Sequence, residues 1–312
     1  MEKSYRVRSA IDIGTNTVLL LVAEQCEQTL TPIYEAQEIP RLGRGVDSNK
    51  TLSEDSIDRV MNALMKYKTI LETSYPNCEP PIVTATSAVR DASNRNEFIT
   101  KVKKELGFDI RLLSGNDEAE WTFAGALSVL PSNIESPVCV LDIGGGSTEL
   151  AYGKGTYLLK RNSFDMGSVR YTERFLKETP ISTKTITETC EYIKSEFRAN
   201  TEIASINEQF IGIGVAGTVS TLAFLEHGFS EYDAKSLNGL QLSLSFVDQK
   251  IQEWSKMNSD DLEKCYPVVL KGRADIILAG LLILKSFMNY FQLNELLVST
   301  GGIRHGALLK TF

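Results

Sequence analysis

The sequence is poor in cysteine and histidine, and this excludes several kinds of site. Its 312 residues hold five cysteines, no two within about fifty positions of each other, at 26, 78, 139, 190 and 265. That spacing excludes a CxxC zinc or redox motif and indicates no disulfide framework, so we expect a reducing, cytoplasmic compartment. The two histidines, His227 and His305, are too few for a histidine-rich metal site.

Long apolar runs and an excess of basic charge are missing as well. The longest apolar runs, 18–23 and 276–284, fall far short of the roughly 20 residues of a membrane span, and no leader-like segment opens the chain. Lys and Arg number 33 against 40 Asp and Glu, a net charge of −7. We therefore expect no membrane and no nucleic-acid partner, while a local basic groove for a polyanion stays open.

What remains is an ordinary globular composition, 42% hydrophobic and 23% charged, with a length that fits two domains better than one. The segment 131–137 combines two prolines with Ser, Asn and Glu and is the best linker candidate. Helices are predicted after the N-caps Ser53 and Ser114, and a third ends at Gly107. Predicted strands lie at 7–13, 18–23, 31–39, 82–83, 109–113, 138–141 and 149–152, and a buried helix lies at 274–291.

One short motif occurs twice. Residues 12–17 read D-I-G-T-N-T and residues 142–148 read D-I-G-G-G-S-T, which is an offset of 142 − 12 = 130 residues. Both copies stand between two strand-like runs, on opposite sides of the linker candidate. We therefore predict two related α/β halves, each opening with a hairpin whose connection is a glycine loop.

Such loops suit phosphate. Glycine allows another group to approach closely, and successive backbone N–H groups then form an anion-binding concavity. Ser, Thr and Asn add donors, and an Asp at the strand end can hold a divalent cation. Two facing loops would clamp a chain of phosphates. The candidate donors are Gly14, Thr15, Asn16, Thr17, Gly144, Gly145, Gly146, Ser147 and Thr148.

Two further segments, 211–221 and 299–304, are interpreted as glycine-rich loops of the same kind. The first contains G-x-G-x-x-G, which is also typical of dinucleotide-binding folds. The acidic partner expected about 20 residues later is not convincing, because Glu226 and Glu231 follow a predicted helix rather than a second strand. We therefore reject a Rossmann fold.

These motifs resemble those of the actin, Hsp70 and sugar kinase superfold and, more narrowly, those of the exopolyphosphatase / guanosine pentaphosphate phosphohydrolase (Ppx/GppA) family. The resemblance implies an α/β fold of two ribonuclease H-like domains with a cleft between them. The matching segments run in family order at 12–17, 41–46, 86–92, 114–120, 142–150, 166–170, 214–221, 273–275 and 299–306.

The resemblance implies hydrolysis of a phosphoanhydride, in which water attacks a terminal phosphoryl group with help from Mg²⁺ or another divalent cation. Such chemistry needs charge neutralisation, positioning and a base that orients water. Glu118 matches the second acid of the family's S-G-x-E-E-A motif and is the candidate base. By local pattern alone it would be a helix-dipole acid, and the other motifs decide against that.

The resemblance also implies the remaining roles. Asp142, Glu149 and Asp12 are the candidate metal ligands, and Glu149 is counted with Glu118 as catalytic. Asp142 and Glu149 face each other across the second loop, which would let both carboxylates reach one cation. The candidate substrate-binding residues outside the two loops are Arg41, Arg90, Arg304, Gly217 and Thr218.

The choice between inorganic polyphosphate and guanosine pentaphosphate stays open, with polyphosphate preferred. A sugar kinase or ATPase of the same superfold is disfavoured by the chain length, and a non-catalytic sensor is disfavoured by the retained acids. The length matches the short, two-domain form of the family, with a homodimer possible. The predicted domains are 1–128 plus about 300–312, and 129–299, with a hinge near 125–137 that would gate access.

Overall fold

The computed structural model of the protein describes residues 5–131 and 134–311. The first half of the chain forms a five-stranded sheet in the order β3-β2-β1-β4-β5. The hairpins β1–β2 and β2–β3 are antiparallel, and β4 and β5 continue parallel to β1. The elements are β1 (Arg6–Ile13), β2 (Val18–Cys26), β3 (Thr29–Glu38), α1 (Val46–Asn49), α2 (Glu54–Ser74), β4 (Ile82–Ala85), α3 (Ser87–Asp91), α4 (Arg95–Leu106), β5 (Ile110–Leu112) and α5 (Gly115–Ser128).

The second half forms a six-stranded sheet in the order β10-β11-β9-β6-β7-β8. Its elements are β6 (Pro137–Ile143), β7 (Thr148–Lys154), β8 (Tyr157–Phe164), α6 (Ser168–Phe175), α7 (Thr183–Ala199), α8 (Thr201–Ala204), β9 (Ile211–Val215), α9 (Ala216–Glu226), α10 (Ala234–Leu237), β10 (Gln241–Ser243), α11 (Leu244–Trp254), α12 (Ser259–Cys265), α13 (Pro267–Leu270), α14 (Ile277–Tyr290), β11 (Glu295–Val298) and α15 (Ile303–Lys310).

The two sheets repeat one topology. Without the antiparallel edge strand β10, the order β8-β7-β6-β9-β11 reproduces β3-β2-β1-β4-β5, with matching strand directions. The prediction of two related α/β halves is confirmed. Because the hairpins β1–β2 and β6–β7 occupy equivalent positions, their connections lie at equivalent edges of the two sheets.

Helices α5 and α15 join the two halves. Phe123 and Ala126 of α5 pack on the second sheet, whereas Ala307 and Leu308 of α15 pack on the first. The helices approach closely because a Cβ on Gly125 would overlap the backbone of α15. The division at residues 128, 129 and 300 stays a prediction, and Ser132 and Asn133 of the linker candidate lie outside the described residues.

The interpretation of 211–221 as a glycine-rich loop is wrong. Residues 211–215 form strand β9, and α9 follows without an intervening loop. Gly212 and Gly214 serve close packing inside the strand, since a Cβ on either would come within 2.8 Å of Leu293 or Val219, respectively.

Among the described residues, the structure contains no helix with the length and apolar character needed to cross a bilayer.

Candidate active site

The two predicted glycine loops have the same local geometry. In the first glycine loop (residues 14–17), the Gly14 N–H donates to the Thr17 carbonyl at 2.9 Å. In the second glycine loop (residues 144–147), the Gly144 N–H donates to the Ser147 carbonyl at 3.0 Å. The motif that occurs twice in the sequence therefore forms the same tight turn in both halves.

The two loops meet across the interdomain cleft, which is closed. A Cβ on Gly145 would lie 2.8 Å from Cβ of Thr15, and one on Gly146 would overlap Oγ of Ser87. One cavity at this junction, lined by residues of both halves, measures about 10 Å³, which is room for roughly one water molecule. The lining also includes Asp47 and Arg170.

Three carboxylates lie at the strand ends beside the loops. Asp142 on β6 is directly opposite Glu149 on β7 in the antiparallel register, and opposite residues share a face of the sheet. Asp12 ends β1 at the equivalent place in the first half. The sequence-based expectation that Asp142 and Glu149 face each other across the loop is confirmed.

Each of these carboxylates is buried and accepts a hydrogen bond from a hydroxyl group. Thr84 donates to Asp12 at 3.0 Å, Thr122 donates to Asp142 at 3.1 Å, and Ser163 donates to Glu149 at 2.7 Å. Such bonds satisfy one oxygen of each group and fix its orientation. They do not neutralise its charge.

Because these charges are not compensated, the pKa values of all three carboxyl groups are raised. Burial, reinforced by the charge of Asp142, raises the pKa of Glu149 to about 8. Burial likewise raises the pKa of Asp142 and that of Asp12 to about 6, against the opposing hydrogen bonds from Thr122 and Thr84. A cluster that resists ionisation in this way favours a bound cation.

Glu118 reaches the same cluster from helix α5. Ser114 caps that helix and Asp117 completes the capping box, so the acid next to Glu118 is engaged at the helix end. Glu118 is only 3% exposed and is paired with Arg90. Burial, followed by the charge of Glu149, raises the pKa of Glu118 well above its usual value, and Arg90 opposes this shift.

The donor set fits a hard divalent cation. Among the described residues, no three His, Cys, Asp or Glu side chains are grouped closely enough to hold a metal ion. Mg²⁺ does not need such a group, because it usually binds one or two carboxylates together with waters and substrate phosphates. Asp12, Asp142 and Glu149 are oxygen donors with raised pKa values, and a cation beside them would offset the repulsion between their ionised forms.

Of the three predicted arginines, only Arg90 contacts a catalytic candidate. Its guanidinium donates to the Leu113 carbonyl at 2.9 Å and to Glu118. Arg41 makes a bidentate pair with Asp275 at 3.0 Å, and Arg304 binds the Leu20 carbonyl and Glu35. In the closed cleft, Arg41 and Arg304 are thus held by protein groups.

Gly217 and Thr218 lie at the start of α9, at the sheet edge that carries Asp142, because Val215 pairs with Asp142. A Cβ on Gly217 would overlap the guanidinium of Arg273, and burial lowers the pKa of Arg273. Among the described residues, Arg273 forms no salt bridge. Sequence reasoning gave Arg273 no role, although the segment 273–275 was part of the resemblance.

Two related α/β halves with paired glycine loops at a buried carboxylate cluster define a protein of the actin, Hsp70 and sugar kinase superfold. The family model described as "Ppx/GppA phosphatase family" matches residues 21–312. The chain therefore belongs to the Ppx/GppA phosphatase family and is a hydrolase. This confirms the predicted family and the predicted class of enzyme.

Known relatives cover nearly the whole chain. A bifunctional 3-dehydroquinate synthase/phosphatase of Fusobacterium nucleatum is 32% identical over 99% of this chain, which spans only 47% of that relative's length. Exopolyphosphatase 2 of Mycobacterium tuberculosis is 29% identical, with 97% of each chain covered. The crystal structure of the Aquifex aeolicus Ppx/GppA family member superimposes with a TM-score of 0.81 at 29% identity, covering 98% of this chain and 97% of that one.

Proposed function

We propose that this protein hydrolyses the terminal phosphoanhydride bond of inorganic polyphosphate and releases orthophosphate. The observation that carries the proposal is the junction of two phosphate-type glycine loops, one from each half, with four buried carboxyl groups. A site that only bound phosphate would need the loops but not so many acids. The similarity to exopolyphosphatase 2 of Mycobacterium tuberculosis supports polyphosphate as the substrate.

Glu118 is the proposed general base. Its pKa is raised by burial and by Glu149 and lowered by Arg90, so its affinity for a proton lies above that of an ordinary glutamate. A base works best when its pKa is close to the working pH. Glu118 would orient the attacking water and accept its proton. The loops and Arg90 would bind the phosphoryl group.

The glycine loops are proposed to hold the phosphate chain. Their backbone N–H groups, together with the hydroxyl group of Thr15, are donors that do not need to reorganise during the reaction. The Thr148 hydroxyl group, also predicted to bind phosphate, donates instead to the Met166 carbonyl at 2.7 Å. Mg²⁺, held by Asp142 and Glu149 with Asp12 nearby, would supply charge neutralisation. The net charge of −7 makes such local neutralisation necessary, since the protein as a whole repels a polyanion.

The test is orthophosphate release by the purified protein with Mg²⁺ from inorganic polyphosphate, guanosine pentaphosphate and ATP, each offered alone. We expect the largest kcat/KM with polyphosphate. A larger kcat/KM with guanosine pentaphosphate would overturn the substrate assignment but keep the reaction class. Inactivity on both would overturn the proposed function altogether.

A further inference from the structure

Arg170, in the M-G-S-V-R segment, has no part in the proposed chemistry, yet it is buried at the centre of the closed cleft with 5% exposure. Its Nε donates to the Gly146 carbonyl at 2.6 Å. Its terminal nitrogens donate to Asp47 at 2.6 Å and to Asp91 at 2.5 Å. One guanidinium thus joins the second glycine loop to two acids of the other half.

The Gly146 contact is the last of a series. The backbone N–H groups of Ser168 and Val169 donate to the carbonyls of Gly144 and Gly145 at 2.9 and 2.8 Å. With Arg170 on Gly146, three successive carbonyls of the second glycine loop are bound by the start of α6. The close approach depends on Gly167, where a Cβ would overlap the backbone of Gly145.

This series fixes the direction of the loop's donors. In a planar trans peptide, the C=O of one residue and the N–H of the next point in opposite directions. Because the carbonyls of residues 144–146 are bound by the first residues of α6, the N–H groups of residues 145–147 point away from the atoms that bind those carbonyls. Those are the donors that the proposed function assigns to phosphate.

The bonds to Asp47 and Asp91 exist only while the cleft is closed, since both acids belong to the first half, on α1 and α3. A guanidinium is a planar fork, so two carboxylates on its terminal nitrogens also fix the direction of its Nε–H. Without them, Asp165 at 3.9 Å is the one acid left beside the guanidinium among the described residues, so the direction of its Nε–H is less constrained.

We propose that Arg170 is a positioning residue that couples closure of the cleft to the shape of the second glycine loop. When the halves close, Asp47 and Asp91 orient Arg170, and Arg170 in turn holds the Gly146 carbonyl so that the loop's N–H groups face the substrate. The proposal rests on the proposed function for what those N–H groups bind.

Arg174 provides a matched control. It also crosses the cleft, with a bidentate pair to Asp47 at 2.5 and 2.7 Å, but it makes no hydrogen bond to the loop. Arg170→Gln should lower kcat for polyphosphate about tenfold or more and speed amide hydrogen exchange in residues 143–150. Arg174→Gln should change kcat less than about threefold and leave that exchange at the wild-type rate.

A double-mutant cycle with Asp91→Asn tests the coupling itself, because Arg170 is the only residue to which Asp91 is hydrogen-bonded among the described side chains. We expect Asp91→Asn to lower kcat in the wild-type background and to add nothing to Arg170→Gln. Additive effects would overturn the proposal, and so would equal effects of Arg170→Gln and Arg174→Gln. If Arg170→Gln does not fold, Asp91→Asn must still speed exchange in residues 143–150.

The exchange readout separates this proposal from the proposed function. A wild-type protein that releases no orthophosphate would refute the function, while the comparison of exchange rates would still test the positioning role. An active wild type whose loop exchange is unchanged by Arg170→Gln and by Asp91→Asn would refute the positioning role alone.

Discussion

The first and second glycine loops have the same shape but different surroundings. Both follow an Asp at the end of a strand, and both close with a hydrogen bond from a glycine N–H. Across the hairpin, however, Asp142 faces Glu149, whereas Asp12 faces Leu19. The repeat therefore duplicates the loop that we propose binds phosphate, while the second carboxylate is present in only one half.

The supports of the loops differ as well. The first glycine loop is held by an irregular segment, where the N–H groups of Arg41 and Gly43 donate to Asn16 and Thr15 at 3.0 and 2.7 Å. The second is held by the start of helix α6, whose first N–H groups have no partner within the helix and donate to the carbonyls of Gly144 and Gly145. The loop next to the paired carboxylates thus has the more regular support.

The first prediction compares the loss of kcat when the residue opposite the strand-end Asp is changed in each half. Glu149→Gln should lower kcat about a hundredfold or more, because a carboxylate of the reacting centre is lost. Leu19→Gln, at the equivalent position of the first half, should lower kcat less than about threefold. Orthophosphate release from polyphosphate measures both, and a similar loss in the two variants would refute the assignment of the chemistry to one half.

A smaller effect tests the support of the second loop. Gly167→Ala places a Cβ onto the Gly145 backbone and should cost about 1–3 kcal/mol of unfolding free energy. Gly302 is the matched control, since both glycines are extended N-caps and a Cβ at Gly302 meets no atom within 4 Å. Urea unfolding should show Gly302→Ala to be the milder change, and the reverse order would contradict the proposed close approach.

A third prediction concerns pH. Glu149 has a pKa of about 8 in the folded protein against an ordinary 4.5, so the folded state binds more protons between these values. The free energy of unfolding should therefore fall as the pH rises through this window, by at most about 1.4 kcal/mol per pH unit from this group.

Thermal unfolding in the presence of a chelator measures this dependence. Glu149→Gln removes the titrating group and should flatten the curve, mainly above pH 6, where Asp12 and Asp142 contribute less. A variant with the same slope as the wild type would show that Glu149 titrates normally.

Local patterns predicted much of this fold. The motif repeat gave both hairpins, and the N-caps Ser53 and Ser114 are present where they were expected. The facing pair of Asp142 and Glu149 follows from the hairpin register, in which Ile143 and Thr148 pair on either side of the four-residue loop. The segment 211–221 was misread because Gly212 and Gly214 lie in a strand for packing reasons that only tertiary contacts reveal.

The contacts across the cleft could not be predicted in the same way. Arg170 and Asp91 are 79 residues apart, and Arg41 and Asp275 are 234 apart. Such pairs depend on how the two halves pack against each other, and no periodic pattern in the sequence predicts that packing. The roles of Glu118 and Arg90 came from motif resemblance, and the structure adds that the two side chains are paired.

The most direct test of the account is Glu118→Gln beside Asp117→Asn, its neighbour in the same helix. Glu118→Gln should keep the Kd for polyphosphate within about threefold and lower kcat about 10²- to 10⁴-fold, because the base is removed and the loops remain. Asp117→Asn changes only the capping box and should keep a near wild-type kcat. A Glu118→Gln variant that released orthophosphate at the wild-type rate would contradict the assignment of Glu118 as the base.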